Sequence, residues 1–259
     1  MKITVIGAGN MGGALVRGLV RAGKEDITIT ARTQKTLDSF HAEFPMLHTT
    51  LDNQAAVKDA DLIILAVKPW VIPNVISEIN ALLDLNNQIV VSLAANVRTE
   101  ELRGYLGSKN AKAFYVMPNI AAEYGESMTF ISQTEGVQQT DIDIVADLFR
   151  EVGEVKVCEE RLMGAGMMMA GCGIAYVMRF IRAMQEGGVE MGFYPEEAKN
   201  IALQTMQGAV TVLKETGLHP ETAIDRVTTP GGITIKGLNE LDRMGFNISV
   251  ISCLKAGMK

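Results

Sequence analysis

Lys2-Ile3-Thr4-Val5-Ile6-Gly7-Ala8-Gly9-Asn10-Met11-Gly12 is the stretch whose reading decides the fold. Ile3 to Ile6 reads as a buried strand. Gly7 to Gly12 spells G-x-G-x-x-G. Gly13-Ala14-Leu15-Val16-Arg17-Gly18-Leu19-Val20 then continues as a helix with one apolar face. Three glycines alone are a weak signal, but strand, glycine turn and helix in that order form a dinucleotide-binding fingerprint. Gly7 permits the tight turn, Gly9 lets a pyrophosphate approach the backbone, and Gly12 lets helix and strand pack closely. The helix start supplies free N–H groups and partial positive charge for phosphate. The plain alternative is a glycine-rich turn that binds no nucleotide.

The next strand, Ile27 to Ala31, ends in Arg32-Thr33-Gln34-Lys35. A cofactor with a free ribose 2′-hydroxyl meets an Asp or Glu at this place. The guanidinium of Arg32, the hydroxyl of Thr33 and the ammonium of Lys35 instead suit a 2′-phosphate. The expected cofactor is NADPH in preference to NADH.

Working outward, strands and helices alternate. Asp61-Leu62-Ile63-Ile64-Leu65-Ala66-Val67 is an apolar run of the central parallel kind. Gln88–Leu93, Ala113–Pro118, Ser127–Ser132 and Glu154–Val157 read as further strands. Helices are expected at Gln34–Phe44, Asn53–Lys58, Val71–Leu83, Thr99–Tyr105 and Thr140–Glu151. The sum is an α/β doubly wound sheet of about eight strands. From Arg161 the β-rich runs stop and helical patterns take over: Met163–Met191, Pro195–Thr216, Glu221–Val227, Gly231–Met244 and Ile248–Ala256. The expected division is a dinucleotide-binding domain at 1–159 and an all-α domain at 160–259.

Composition narrows the function. A net charge of −6 in 259 residues argues against a general binder of nucleic acid or anionic membrane. Cys158, Cys172 and Cys253 have no metal spacing, and neither do His41, His48 and His219, so no metal site is expected. The odd thiol count and a first strand starting at residue 2 fit a cytoplasmic protein without a targeting segment. Leu162 to Met178 carries no charged residue and reaches the short limit of a membrane span. Its four glycines and flanking arginines favour a helix buried between subunits over one in lipid.

Ligands of a doubly wound sheet lie beyond the carboxyl ends of its strands. Four turns fall there: Gly7–Gly12, Ala66-Val67-Lys68-Pro69, Ala94-Ala95-Asn96 and Met117-Pro118-Asn119. Small residues at Ala94 and Ala95 let a flat nicotinamide lie against backbone. Lys68 can reach phosphate or ribose. Asn53 is read as the cap of its short helix, with contact to adenosine as the other reading. Far along the chain, Thr228-Thr229-Pro230-Gly231-Gly232-Ile233-Thr234-Ile235 reads as a helix start, threonine capping and proline first. Two glycines clear the first turn, so its N–H groups can hold a small carboxylate, with the Thr234 hydroxyl as one more donor.

These residues resemble the pyrroline-5-carboxylate reductase family over essentially the whole chain. The matching pieces are IGAGNMGGAL (6–15), LAVKP (65–69), SLAA (92–95), VMPN (116–119), GESMT (125–129), EGGVEMG (186–192) and VTTPGGITI (227–235). The resemblance implies a reductase that passes a hydride from NAD(P)H to the C=N carbon of 1-pyrroline-5-carboxylate, giving L-proline. It implies a helical half that interlocks with a twin, and dimers that often assemble further into decamers. Carried over by position, Asn53, Ala66, Lys68, Ala94 and Ala95 contact the cofactor, with their neighbours Val67 and Pro69. Gly231, Gly232, Ile233 and Thr234 then hold the substrate carboxylate. One departure stands out. The family has S-G-S-G-P-A-Y where this chain has Ala170-Gly171-Cys172-Gly173-Ile174-Ala175-Tyr176. The lost hydroxyls would remove hydrogen bonds on the order of 1 kcal/mol net each. Tyr176 is the one weak candidate for a proton donor. Other readings stay open: a related imine reductase, a 3-hydroxy-acid dehydrogenase using Lys199, Lys214 or Lys236, and a non-catalytic NADP-binding paralogue.

Overall fold

The structure is a computed structural model and describes residues 1–258. The chain divides into two compact units, Met1–Gly171 and a second that begins at Cys172.

The first unit is one eight-stranded sheet in the order β3-β2-β1-β4-β5-β6-β7-β8. The strands are β1 (Ile3–Ile6), β2 (Ile27–Thr30), β3 (His48–Thr50), β4 (Leu62–Leu65), β5 (Ile89–Ser92), β6 (Lys112–Met117), β7 (Ser127–Gln133) and β8 (Gly153–Val157). All neighbouring pairs are parallel except β6 with β7. The helices are α1 (Asn10–Arg21), α2 (Gln34–Glu43), α3 (Asn53–Val57), α4 (Ile72–Ile79), α5 (Thr99–Leu106), α6 (Gln139–Arg150) and α7 (Met163–Gly166).

β1, β4 and β5 are buried at every position, which is why they read as near-continuous apolar runs, broken only by Thr4 and Ser92, rather than alternating ones. Their side chains still alternate between two cores. Val5, Ile64 and Val91 join Leu15, Leu37, Phe40 and Phe149 on the face covered by α1, α2 and α6. Ile6, Leu65 and Val90 join Ile72, Ile76, Leu102 and Leu106 on the face covered by α3, α4 and α5. Strand order reverses between β1 and β4, which places a ligand crevice at their carboxyl ends.

Several expectations are corrected. β3 is absent from the sequence reading; it is a three-residue edge strand with no buried position. The helix expected over Val71–Leu83 is three pieces, α4 between the 3₁₀ turns Pro69–Val71 and Asn80–Leu82. The continuous helix expected from Met163 is interrupted by a π-turn at Met167–Gly171. Sequence grammar changes at Glu159, whereas the spatial division falls after Gly171. The segment in between belongs with the sheet: Met163 is 2% exposed in a cluster with Tyr115, Met117 and Phe130.

The second unit consists of α8 (Gly173–Glu190), α9 (Pro195–Thr216), α10 (Pro220–Val227), α11 (Ile233–Arg243) and α12 (Phe246–Ala256). Gly188 brings α8 onto α9: a Cβ there would meet Ala198 Cβ at 2.9 Å. Among the described apolar residues from Cys172 onward, only Ala198 and Ala202 are buried. Met178, Val210, Val212, Ile248 and Ile251 are exposed in the single chain.

Candidate functional site

Backbone hydrogen bonds tie the first three candidate turns together. Gly7 N donates to Thr30 O (3.1 Å), Ala66 N to Ile6 O (2.9 Å), and Leu93 N to Leu65 O (3.0 Å). The turns after β1, β2, β4 and β5 therefore form one continuous edge.

The three glycines of the first turn sit in three different environments. Gly7 has φ +109°, and a Cβ on it would meet Ala66 O at 2.7 Å. Only glycine adopts that backbone without strain. A Cβ on Gly12 would lie 2.0 Å from Gly7 O, so α1 packs directly on the turn. A Cβ on Gly9 would meet nothing within 4 Å. Gly9 is the N-cap of α1 and no side chain caps that helix. The open side of the loop is thus lined by unclaimed N–H groups carrying the positive end of the helix dipole. Asn10 is exposed at the first helical position, while Ala8 and Met11 pack against the core. This edge fits the diphosphate of a dinucleotide.

Beyond β2, Arg32 and Lys35 are exposed and make no ion pair among the described residues. Thr33 is the N-cap of α2; its Oγ1 accepts from Thr36 N at 3.4 Å and lies 2.9 Å from Thr36 Oγ1. Two cations therefore flank a helix start at the place expected for a 2′-phosphate. Asn53 does not cap α3, contrary to the reading of the sequence. Asp52 does, accepting from Ala55 N at 3.0 Å. Asn53 Oδ1 instead accepts from Thr30 Oγ1 at 2.7 Å, and its Nδ2 donates to Glu78 Oε2 at 3.0 Å. That places the amide at the carboxyl end of β2.

After β4, Lys68 is exposed and precedes the 3₁₀ turn that begins at Pro69, with Ala66 and Val67 half-buried behind it. After β5, Ala94 is buried and Ala95 exposed. Asn96 is the one described non-glycine residue with positive φ, at +65°. Its N–H donates to Tyr115 Oη at 3.2 Å. Burial pushes the Tyr115 hydroxyl above its ordinary value; the Asn96 hydrogen bond opposes this and the Glu160 carboxylate adds to it. Asn119 follows β6, its Oδ1 accepting from Ala121 N (3.0 Å) and its Nδ2 donating to Ala170 O (3.2 Å). Sequence reasoning missed Tyr115 and Glu160. A tyrosine in the middle of the apolar run Ala113–Met117 was the available signal.

In the second unit, Thr229-Pro230-Gly231-Gly232 is not a helix start. It is a β-turn closed by Gly232 N donating to Thr229 O at 2.9 Å, with Gly231 at φ +73°. Proline followed by glycine at positive φ is the type II arrangement. Gly232 then serves as N-cap of α11 without any side-chain cap, and a Cβ on it would strike Thr229 Oγ1 at 2.5 Å. Ile233 and Thr234 open the helix, both exposed. The first N–H groups of α11 have no side-chain cap and Thr234 is exposed in its first turn, a combination that suits a small carboxylate. Tyr176 lies beside Cys253 and Cys172, and burial followed by the Cys253 thiol holds its hydroxyl above the ordinary value. Such a phenol is a poorer acid near neutrality. Among the described residues no three metal-ligating side chains cluster.

A family model described as "Pyrroline-5-carboxylate reductase dimerisation" matches residues 160–259, and one described as "NADP oxidoreductase coenzyme F420-dependent" matches residues 2–96. A pyrroline-5-carboxylate reductase of Arabidopsis thaliana is 33% identical, the match covering 100% of this chain and 93% of that one. Pyrroline-5-carboxylate reductase 1 of Dictyostelium discoideum is 32% identical over 96% of this chain, but this chain spans only 47% of its length. A solved Plasmodium falciparum pyrroline carboxylate reductase with NADP bound superposes with a TM-score of 0.89 at 29% identity, covering 100% of this chain and 95% of that one.

Proposed function

The chain belongs to the pyrroline-5-carboxylate reductase family, and from that premise we propose how its residues carry out the reduction of 1-pyrroline-5-carboxylate to L-proline. It is an NAD(P)-dependent oxidoreductase with a dimerisation domain. The observation that carries the site reading is that α1 after Gly9 and α11 after Gly232, two helices entered from glycine-containing turns, start without a side-chain cap. Each offers backbone N–H groups to an anion. One suits the cofactor diphosphate and the other the substrate carboxylate.

When bound, NADPH supplies the hydride that reduces the C=N carbon, and L-proline results once the ring nitrogen carries a proton. The residues of this chain hold and orient. The N–H groups from Gly9 to Gly12 bind the diphosphate, with Ala8 and Met11 packing the loop from behind. Arg32 and Lys35 take the 2′-phosphate, and Thr33 sets the helix start between them. Asn53 and the Ala66–Pro69 turn, with Lys68, border the adenosine and ribose. Ala94 and Ala95 offer flat backbone to the nicotinamide. The Gly231–Thr234 turn holds the substrate carboxylate through the first N–H groups of α11. Among the described residues no side chain is singled out as the acid, so orientation carries the rate, and the protonated imine is the better hydride acceptor.

The bare apolar helices of the second unit support a homodimer, because a helix exposing apolar residues on most faces needs a partner surface. Assembly of dimers into decamers and a cytoplasmic setting complete the proposal. The test is NADPH consumption by purified protein. Consumption that depends on 1-pyrroline-5-carboxylate and yields proline is expected; NADPH binding without turnover of that imine would reject the reading.

A further inference from the structure

Asn96 lies in the turn after β5, in a left-handed conformation that costs any residue with a side chain. Such strain persists only where the surroundings hold it. Two contacts hold this turn from outside it. Tyr115, at 5% exposure on β6, accepts the Asn96 N–H at 3.2 Å while its own proton points at Met117 Sδ, 4.0 Å away. Glu160 takes over the start of α5: its Oε2 accepts from Thr99 N at 3.2 Å and from the Thr99 hydroxyl. No side chain of α5's own N-cap residue, Arg98, does that work. The middle and the far end of Ala94–Thr99, at Asn96 and Thr99, are thus pinned by residues that do not belong to it.

We propose that Tyr115 and Glu160 are positioning residues that latch the Ala94–Thr99 turn in the shape that receives the nicotinamide half of the cofactor. The inference rests on the proposed placement of nicotinamide at Ala94 and Ala95. It assigns neither residue a contact with substrate. Tyr115→Phe keeps the ring packed against Met117 and Met163 and removes the hydroxyl, with its acceptor for Asn96 N–H and its long contact to Met117 Sδ. Glu160→Ala removes the cap on Thr99, and Glu160→Gln keeps an acceptor oxygen in place.

The experiment compares two ligands. Adenosine 2′,5′-bisphosphate reports the Gly7–Gly12 and Arg32 end alone, whereas NADPH reports both ends. Tyr115→Phe is expected to weaken NADPH about fivefold, lower kcat, and leave the bisphosphate unchanged. In an Asn96→Gly background, where a left-handed backbone is free of strain, the same substitution should change NADPH binding less than about twofold. Glu160→Ala should behave like Tyr115→Phe, with Glu160→Gln recovering most of the loss. Equal weakening of both ligands would mark a merely structural role and overturn the latch. So would an unchanged NADPH affinity in Tyr115→Phe, or an undiminished effect beside Asn96→Gly. Failure of the unaltered protein to reduce 1-pyrroline-5-carboxylate would count against the function alone, because the two dissociation constants judge the latch without turnover.

Discussion

Alanine at Gly9 and alanine at Gly12 are the same chemical change three residues apart, and the structure assigns them opposite consequences. A Cβ on Gly12 would sit 2.0 Å from Gly7 O and 2.8 Å from Ala66 Cβ. Both neighbours belong to turns anchored in the sheet, so α1 must shift or the turn must open. Overpacking against fixed backbone costs about 3 kcal/mol or more, which for a unit of this size lowers Tm by about 6–12 °C. A Cβ on Gly9 would meet no protein atom within 4 Å, and the residue's φ of −77° and ψ of −169° suit alanine. The one cost is a poorer N-cap, below about 1 kcal/mol, or a Tm change of about 2–4 °C. The added methyl nevertheless occupies the space through which phosphate oxygens reach the α1 N–H groups. Charge-assisted hydrogen bonds are worth about 1.5–3 kcal/mol each, so loss of one weakens NADPH at least tenfold. Binding can be followed through Trp70, the sole tryptophan, which is 75% exposed just beyond Lys68-Pro69. Gly9→Ala should therefore be a stable protein that binds NADPH poorly, and Gly12→Ala an unstable one. Wild-type affinity in Gly9→Ala would mean that phosphate does not approach α1 there, and wild-type Tm in Gly12→Ala that the turn yields to a methyl group.

Further expectations follow the same logic. Arg32→Ala should raise KM for NADPH about tenfold and leave that for NADH nearly unchanged; equal rises would place the 2′-phosphate elsewhere. Thr234→Ala should raise KM for the imine about fivefold or more and barely alter that for NADPH, and a reversed pattern would remove Thr234 from the carboxylate site. Burial holds the Cys158 thiol above its ordinary 9.0 and the Tyr115 hydroxyl above 10.0. The unfolded chain then releases these protons first, so their stabilisation is complete below pH 9 and is lost as pH climbs past 9 and then 10. Tm should fall over that window, less steeply above pH 10 in Tyr115→Phe; a flat profile in the unaltered protein would contradict the sign. Sedimentation of the full chain should show dimers or multiples of dimers, and a stable monomer would leave the exposed Ile248 and Ile251 without explanation.

The central strands were legible because β1, β4 and β5 are buried on both faces and, Ser92 apart, carry β-branched and apolar residues. The phosphate loop was legible because its glycines answer separate steric demands at separate places. β3 was not, since a three-residue edge strand has no apolar pattern to show. At Asp52-Asn53 the sequence offers two adjacent cap formers, and only the hydrogen bond from Ala55 N decides between them. At Thr229-Pro230-Gly231 two turn grammars overlap: threonine before proline suggests a helix start, while proline before glycine suggests a type II turn. The φ of Gly231 selects the second, yet α11 still begins uncapped, so the anion-binding feature survives the corrected geometry. The Tyr115–Asn96 and Glu160–Thr99 contacts span 19 and 61 residues. No local pattern encodes pairs that distant.

The proposed reaction is direct hydride transfer from NADPH to the C=N carbon of 1-pyrroline-5-carboxylate. Its most direct test is turnover with NADPH carrying deuterium at the transferred position. The expected product is proline with one deuterium on the ring carbon that was doubly bonded to nitrogen, at the carbon away from the carboxylate. Proline lacking that deuterium, or no proline at all while NADPH still binds, would contradict it.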